Sequence, residues 1–346
     1  MMPANSNEPK TLQEAITYFS DPDNCLAYMI PRTWPNGVVT CPTCGRTDPK
    51  FLANQQRWQC KSVHPKRQFS AKVGTIFEDS PIRLEKWLPA VWALVNDKNG
   101  ISSWELHRML GVTQKAAWFM LHRIRVGLAP KRNVFGADRS KIGNPEGGSG
   151  VEVDETFVGG ALKNMHKDRK LAYNIRGGAK GKTIVMGMLD RDLRQVRAKV
   201  VPNVKRETLQ TEVMNNVKHG SRVYTDEWVG YDHLHARFVH DVVNHMETYV
   251  NGQVHTNGIE NFWSLFKRTL RGTYVAVEPY HLQRYADEQV FRFNHRGGKK
   301  KGERVTDAER FSKALSQIVG KRLTYAELTG KTGDPTQANE DPTARS

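Results

Sequence analysis

The 346-residue chain has only four cysteines, no apolar run of 18 residues or more, and too few acids to balance its bases. Four thiols in that length do not make a disulfide framework. Without a long apolar run an ordinary membrane span is excluded. The polar start from Met1 to Lys10 lacks the apolar stretch of a secretory signal, so a soluble cytoplasmic protein is expected. The 36 Asp and Glu face 52 Lys and Arg, a formal net charge of +16, which makes a polyanion the expected partner. With 38% hydrophobic residues the chain is no disordered polycation. At roughly 150 residues per domain, its length suggests about two domains with small modules attached.

Three of the cysteines share a pattern. Cys41-Pro-Thr-Cys44 is followed directly by Gly45, a turn that aims two thiols at one point. Sixteen residues on comes Cys60, and His64 follows after three more residues. Zinc takes four soft or borderline ligands in a tetrahedron, so Cys41, Cys44, Cys60 and His64 read as a closed structural Zn²⁺ site. Cys25 fits neither pair and is expected in the core. Arg57 to Cys60 and Gln68 to Ser70 alternate as strands, a β-ribbon. Lys61, Lys66, Arg67 and Lys72 line it; phosphate contact and a plain solvated face both remain open for them.

From Pro81 the periodicity becomes helical. Leu84, Trp87, Leu88, Val91, Trp92 and Val95 form one apolar stripe. Ser102 with Glu105 three residues later is a capping box that opens a second helix. Gly111-Val112-Thr113 is a tight turn, and Gln114 to Arg125 a further helix, together a helix-turn-helix signal. Ala117, Met120, Leu121 and Ile124 would pack inward, leaving Gln114, Lys115, Arg123 and Arg125 for DNA. Eight Lys and Arg stand against two acids between Ser103 and Lys141.

Asn144 to Gly150 is rich in glycine and marks a boundary. Beyond it strands are expected at Val151–Phe157, Thr183–Leu189, Val196–Val201, Ser221–Asp226 and Phe238–Val243, with helices at Arg206–Lys218, Ile259–Leu270 and Pro279–His295. That order suits a mixed sheet with helices packed on it, a ribonuclease H-like layout. Asp154 lies on the first strand, Asp226 ends the fourth, and Glu260 opens a helix. Three carboxylates so placed suit Mg²⁺, which takes oxygen ligands plus water and phosphate. A pair of ions ~4 Å apart would serve phosphodiester chemistry. Lys267, two turns on, and the adjacent Arg268 could meet a phosphate. Glu152, Glu155, Glu227 and Glu247 compete with these acids, and spacing alone does not eliminate them.

Several segments are shared with a known family: Trp58-Gln-Cys60, Gln68-Phe-Ser70, Gly74-Thr-Ile-Phe77, Val151 to Gly160, Tyr224-Thr-Asp226 and Asn257 to Lys267. Through them the chain, over roughly residues 36–298, resembles bacterial insertion-sequence transposases of the DDE type with an N-terminal zinc ribbon. The resemblance implies that Asp154, Asp226 and Glu260 are the DDE triad, with Lys267 the basic residue trailing the glutamate. It implies catalytic Mg²⁺, double-stranded DNA as partner, a homo-oligomeric synaptic complex and a nucleoid-associated protein. The pair Cys60/His64 departs from the more usual CxxC. Some relatives carry asparagine as the third residue, which keeps Asn257 and Asn261 in view. A DNA-binding regulator with a degenerate core and a ribonuclease H-like nuclease remain alternatives.

The division expected is an N-terminal helical segment (1–35), zinc ribbon (36–80), helix-turn-helix module (81–143), linker (144–150), catalytic domain (151–300) and a C-terminal helix with a disordered tail (301–346). Ala161 to Lys182 holds seven Lys and Arg and one acid, a basic hairpin insert that is either a DNA clamp or a solvated loop. Asn261 to Gly302 holds nine Lys and Arg and three acids.

Overall fold

The computed structural model describes residues 8–130, 141–159, 181–226, 229–231, 234–243, 255–297 and 305–330. Glu227, Glu247, the insert as far as Lys180 and the tail from Lys331 lie outside the described residues. The architecture is mixed α/β, in two compact units. Of the described residues, one unit holds 8–129 and 295–330, and the other holds those between Pro130 and Asn294.

In the first unit, helices α1 (Leu12–Phe19) and α2 (Pro22–Thr33) precede a three-stranded antiparallel sheet, β1 (Lys50–Leu52), β2 (Arg57–Gln59) and β3 (Gln68–Phe69). Helix α3 (Leu84–Asn96) carries the expected stripe, but Pro89, Ala90, Ala93 and Leu94 are buried as well. A helix apolar on nearly every side belongs in the middle of a unit. Its other neighbours come from the far end of the chain: α9 (Asp307–Leu315) packs on α3, and the Phe311 ring lies 5.0 Å from that of Trp92 and 5.5 Å from those of Phe19 and Tyr28. Helix α4 (Ser103–Leu110) starts at the anticipated capping box, where Glu105 N–H donates to Ser102 Oγ and Ser102 N–H donates to Glu105 Oε2. Gly111, with φ of +59°, ends it in the left-handed conformation that glycine takes most easily. Helix α5 (Gln114–Leu128) then begins on Thr113, whose hydroxyl accepts from Ala116 N–H. A short α10 (Tyr325–Thr329) closes the unit.

The second unit is a five-stranded sheet in the order β6-β5-β4-β7-β8, built from β4 (Val151–Val158), β5 (Thr183–Asp190), β6 (Gln195–Val201), β7 (Arg222–Asp226) and β8 (Val239–Val243). The first three are antiparallel in sequence, while β7 joins β4 in parallel and β8 joins β7 in parallel. Alternation along β4 sets the two faces. Val151 and Val153 pack with Leu209 and Val213 of α6 (Arg206–Asn216). The opposite face of the sheet packs on Ile259, Phe262 and Phe266 of α7 (Asn257–Thr269) and on Tyr285 and Val290 of α8 (Leu282–Asn294). Among the described residues no helix is long and apolar enough to cross a membrane.

Candidate active site

The metal-ligand pattern closes in the first unit. Ligand atoms of Cys41, Cys44, Cys60 and His64 all lie within 4.8 Å of one another. Cys41 Sγ is 3.5 Å from His64 Nε2, and Cys44 Sγ is 3.5 Å from Cys60 Sγ. A tetrahedron with zinc–sulfur arms of ~2.3 Å has edges of ~3.7 Å, so four ligands around one ion fit this space. The backbone turns converge on the same point: Gly45 N–H donates to Cys41 O at 2.9 Å and Cys60 N–H to Arg67 O at 2.8 Å. His64 Nδ1 lies 2.7 Å from Pro65 O, which fixes its tautomer and presents Nε2 to the ion. The soft donor set and its spacing fit structural zinc. Cys25 sits elsewhere, buried with its thiol donating to Phe19 O at 3.2 Å. Burial pushes that thiol up to about 12.

Acids gather on the second unit's sheet. Parallel pairing sets Val151 opposite Val223 and Glu152 opposite Tyr224, an offset of 223 − 151 = 72 residues. The same offset, carried two residues further, levels Asp154 with Asp226 on adjacent strands. With Val151 and Val153 facing α6, Glu152 and Asp154 face α7. From α7, Trp263 Nε1 donates to Asp154 Oδ2 at 3.0 Å. That reach depends on Gly187, paired with Asp154 across the sheet, because a Cβ there would come within 2.5 Å of the Trp263 ring. Glu260 stands exposed on the first turn of α7 and accepts from Thr256 Oγ1 at 2.9 Å.

A second carboxylate holds this arrangement together. Glu152 is buried, its Oε2 accepting from Ile259 N–H at 2.7 Å and its Oε1 from Arg191 Nε at 2.7 Å. Arg191 also donates to His255 O and lies over the Tyr224 ring at 4.0 Å. One buried ion pair thereby ties β4 to the start of the helix that carries Glu260. Removing one partner of such a pair strands the other charge and costs ~3–5 kcal/mol. Glu152→Ala is expected to lower stability by about that amount, read from the urea midpoint at unchanged m-value. An effect under ~1 kcal/mol would show that the pair fixes nothing.

Like charges leave their mark on Asp154 and Glu155. Burial, then Asp226, with a smaller push from Glu260, raises Asp154 to about 6. Glu155, which accepts from Tyr231 OH, is raised to about 8 by burial and then by Asp154 and Asp226. In both cases the folded form holds its proton to higher pH than the unfolded form, whose ordinary values are 3.8 and 4.5. The folded state therefore binds more protons, and stability falls as pH rises from about 4 through 8. Metal-free protein is expected to lose roughly 5 °C or more of melting temperature across that range, and millimolar Mg²⁺ to offset the loss at pH 8. A melting temperature that rises with pH in this window, without metal, would contradict the placement of these acids.

Among the described residues only the Cys/His group draws three or more ligand atoms within 4.8 Å of one another. Asp154, Asp226 and Glu260 therefore do not all lie within 4.8 Å of one another. Asn257 and Asn261 are exposed on α7 beside Glu260, and Arg268 is exposed near its far end with Lys267 half-buried. In the first unit Lys115 is exposed, its ammonium 4.8 Å over the Tyr325 ring, and Gln114 is half-buried and donates to Ser103 Oγ at 2.9 Å.

One expectation is corrected here. Arg123 and Arg125 do not remain available to DNA, being only 3% and 1% exposed. Arg123 lies against the Trp87 and Phe119 rings and donates to Glu78 O, and burial pulls its pKa down to about 10. The cause is that α5 is buried on all sides along its second half, so a polar position by helical spacing becomes an interior one. On the ribbon, Arg67 donates to Cys60 O and Lys72 to Ser80 O and Ile82 O, so both are occupied with the protein's own carbonyls. Spacing in the sequence does not mark Arg191 or Tyr231 as partners of Glu152 and Glu155; the one local signal is that Glu152 stands between Val151 and Val153.

The first unit thus carries a zinc-ribbon ligand set, and the second carries levelled acids on a mixed sheet. Comparison with known proteins agrees. Residues 146–294 match the ISXO2-like transposase domain, and residues 20–62 match the transposase zinc-ribbon domain, a span that takes in Cys41, Cys44 and Cys60 and stops short of His64. The chain is 37% identical over 97 residues to an uncharacterized transposase-like protein of Haemophilus influenzae, covering 28% of this chain and 78% of that one. It is 28% identical over 250 residues to an uncharacterized protein in transposable element ISH50 of Halobacterium salinarum, covering 68% of this chain and 79% of that one. The chain belongs to the ISXO2-like insertion-sequence transposases.

Proposed function

We propose that this transposase cuts DNA at the ends of its element and joins the freed ends to a target, with Asp154, Asp226 and Glu260 as its catalytic carboxylates. The observation that carries the reading is the β4–β7 register, which levels Asp154 with Asp226 on the face that meets α7. The order of strands, three antiparallel followed by two parallel with helices on both faces, supports a ribonuclease H-like core. The α4–Gly111–α5 geometry supports a helix-turn-helix.

The donor set is hard oxygen, and its crowding raises Asp154, so a divalent cation suits it. Mg²⁺, when bound by Asp154, Asp226 and Glu260, supplies Lewis-acid stabilisation of charge developing on the phosphate. The protein's own groups do the rest. Trp263 holds the Asp154 carboxylate, Thr256 holds Glu260, and the Glu152–Arg191 pair fixes the helix between them. Lys267 and Arg268, with Gln114 and Lys115 in the other unit, would position DNA backbone. In the first step water would add to phosphorus, the P–O3′ bond would break, and a water proton would pass to the departing 3′-oxygen, freeing the element's 3′-hydroxyl and leaving a 5′-phosphate on the flanking DNA. In the second, that hydroxyl attacks a target phosphodiester, a new P–O bond replaces the target's P–O3′ bond, and the hydroxyl proton passes to the departing 3′-oxygen. One bond is exchanged for another, so no ATP is required. Two ends must be handled together, which calls for a homo-oligomer.

A supercoiled target plasmid incubated with duplexes carrying the element's terminal sequences and Mg²⁺ tests the reading. Joined product is expected. Nicked plasmid without joining would make the protein a nuclease, and bound but unchanged DNA a regulator.

A further inference from the structure

The solvent face of α7 does not end at Lys267. Asn257, Glu260, Asn261, Ser264 and Arg268 of α7, with Arg271 just past its end, are all exposed and recur at three- and four-residue spacing. They form one polar stripe that starts with the proposed active-site glutamate and ends in two arginines. Beyond the helix the chain makes a single π-helical turn, Leu270–Tyr274, and then an abrupt reversal at Val275.

Val275 is the anomaly. It has φ of +60° and ψ of −61°, closed by Val275 N–H donating to Leu270 O at 2.8 Å and Ala276 N–H to Tyr274 O at 2.6 Å. A β-branched residue is among the worst for this conformation, a strained γ-turn that glycine adopts at far lower cost. Its side chain is 78% exposed, so no packing within the unit repays the strain. The turn is nonetheless firmly seated on both sides. Tyr274 donates to Glu288, its ring meets that of Tyr285 at 4.7 Å, and both Tyr274 and Val277 pack on the core. Tyr280, 56% exposed with the Arg284 guanidinium 5.6 Å over its ring, completes the exposed edge. Glu278 is the one acid between Arg271 and Arg284. A rigidly held apolar tip next to exposed arginines matches the chemistry of a side chain pressed between base pairs while cations grip the phosphates.

We infer that Val275 is a wedge that unstacks duplex DNA, with Arg268 and Arg271 holding the backbone that runs along α7 from the cleaved phosphate. The inference rests on the transposase reading and adds a contact to it. Helical rise places Val275 on the order of 15–20 Å from Glu260. At ~3.4 Å per base step the disturbed step lies about five pairs from the cut.

The test uses the full-length protein and end duplexes with 2-aminopurine placed singly at each position from one to ten pairs from the cleaved bond. With wild type, fluorescence should rise at least twofold at one or two positions near the fifth pair. Val275→Gly should lose that rise and slow cleavage about tenfold while its melting temperature stays level or climbs, because glycine relieves the strained φ. Val275→Leu, which keeps an apolar tip, should retain the fluorescence rise. Val275→Gly that brightens the same positions and cleaves like wild type overturns the wedge and leaves the transposase reading intact. A lower melting temperature for Val275→Gly overturns the wedge as well, since the residue would then be serving the fold. Wild type that neither cuts nor brightens any duplex overturns both readings.

Discussion

Asp226→Asn is expected to reduce end cleavage and strand transfer by about 10³-fold, the equivalent of ~4 kcal/mol of barrier, with end binding unchanged within twofold. The asparagine is nearly the same size, so β7 keeps its pairing with β4 and β8. What changes is charge at the one place where parallel register sets two aspartates level. With Asp226 neutral, Asp154 loses the neighbour that, after burial, does most to raise it. Its pKa should drop below about 6, and metal-free protein at pH 8 should become more stable as repulsion is relieved. The opposite signs on activity and stability separate a lost metal ligand from a damaged fold. Strand transfer at the wild-type rate would remove Asp226 from the mechanism.

The second large effect concerns zinc. Cys60→Ser is expected to take zinc content from one equivalent per chain to near zero and to disorder the ribbon. The three strands of that sheet span two or three residues each, too few to hold themselves by pairing. Their aromatic partners help: Trp58 meets Trp34 at 5.5 Å and Phe51 at 5.2 Å. Loss of the metal should therefore show as a red-shifted tryptophan emission and as new proteolytic cuts between residues 36 and 70, in the expected ribbon. His64→Asn asks a narrower question, since the zinc-ribbon match stops at residue 62. His64 Nε2 lies 3.5 Å from Cys41 Sγ, where a fourth ligand would stand, so zinc should bind markedly more weakly in that variant. Unaltered zinc content in Cys60→Ser would refute the site altogether.

Much of this was legible in the sequence because it depends on short-range patterns. The capping box at Ser102, the glycine that stops α4, the CxxC turn and all five strands of the larger sheet are read from residues a few positions apart. The spacing of 72 between Asp154 and Asp226 turned out to be the register offset of β4 and β7. The illegible parts depend on pairings across the chain. Nothing local to Phe311 announces that it fills the space between Phe19, Tyr28 and Trp92, yet that contact brings the C-terminal segment into the first unit. Arg123 and Arg125 have the spacing of surface residues and become interior only because α5 is enclosed. Glu152 looked like one more acid competing for a role, and its part became clear through Arg191 and Ile259, 39 and 107 residues away.

The net charge of +16 and the three proposed catalytic acids are reconciled by a divalent cation, and that is the central claim. The most direct measurement is Mn²⁺ binding by electron paramagnetic resonance at pH 8 on zinc-loaded protein. Wild type should bind Mn²⁺, and Asp154→Asn and Asp226→Asn should each weaken it at least tenfold with zinc content unchanged. Equal Mn²⁺ affinity in all three proteins would mean that the levelled aspartates do not hold the metal.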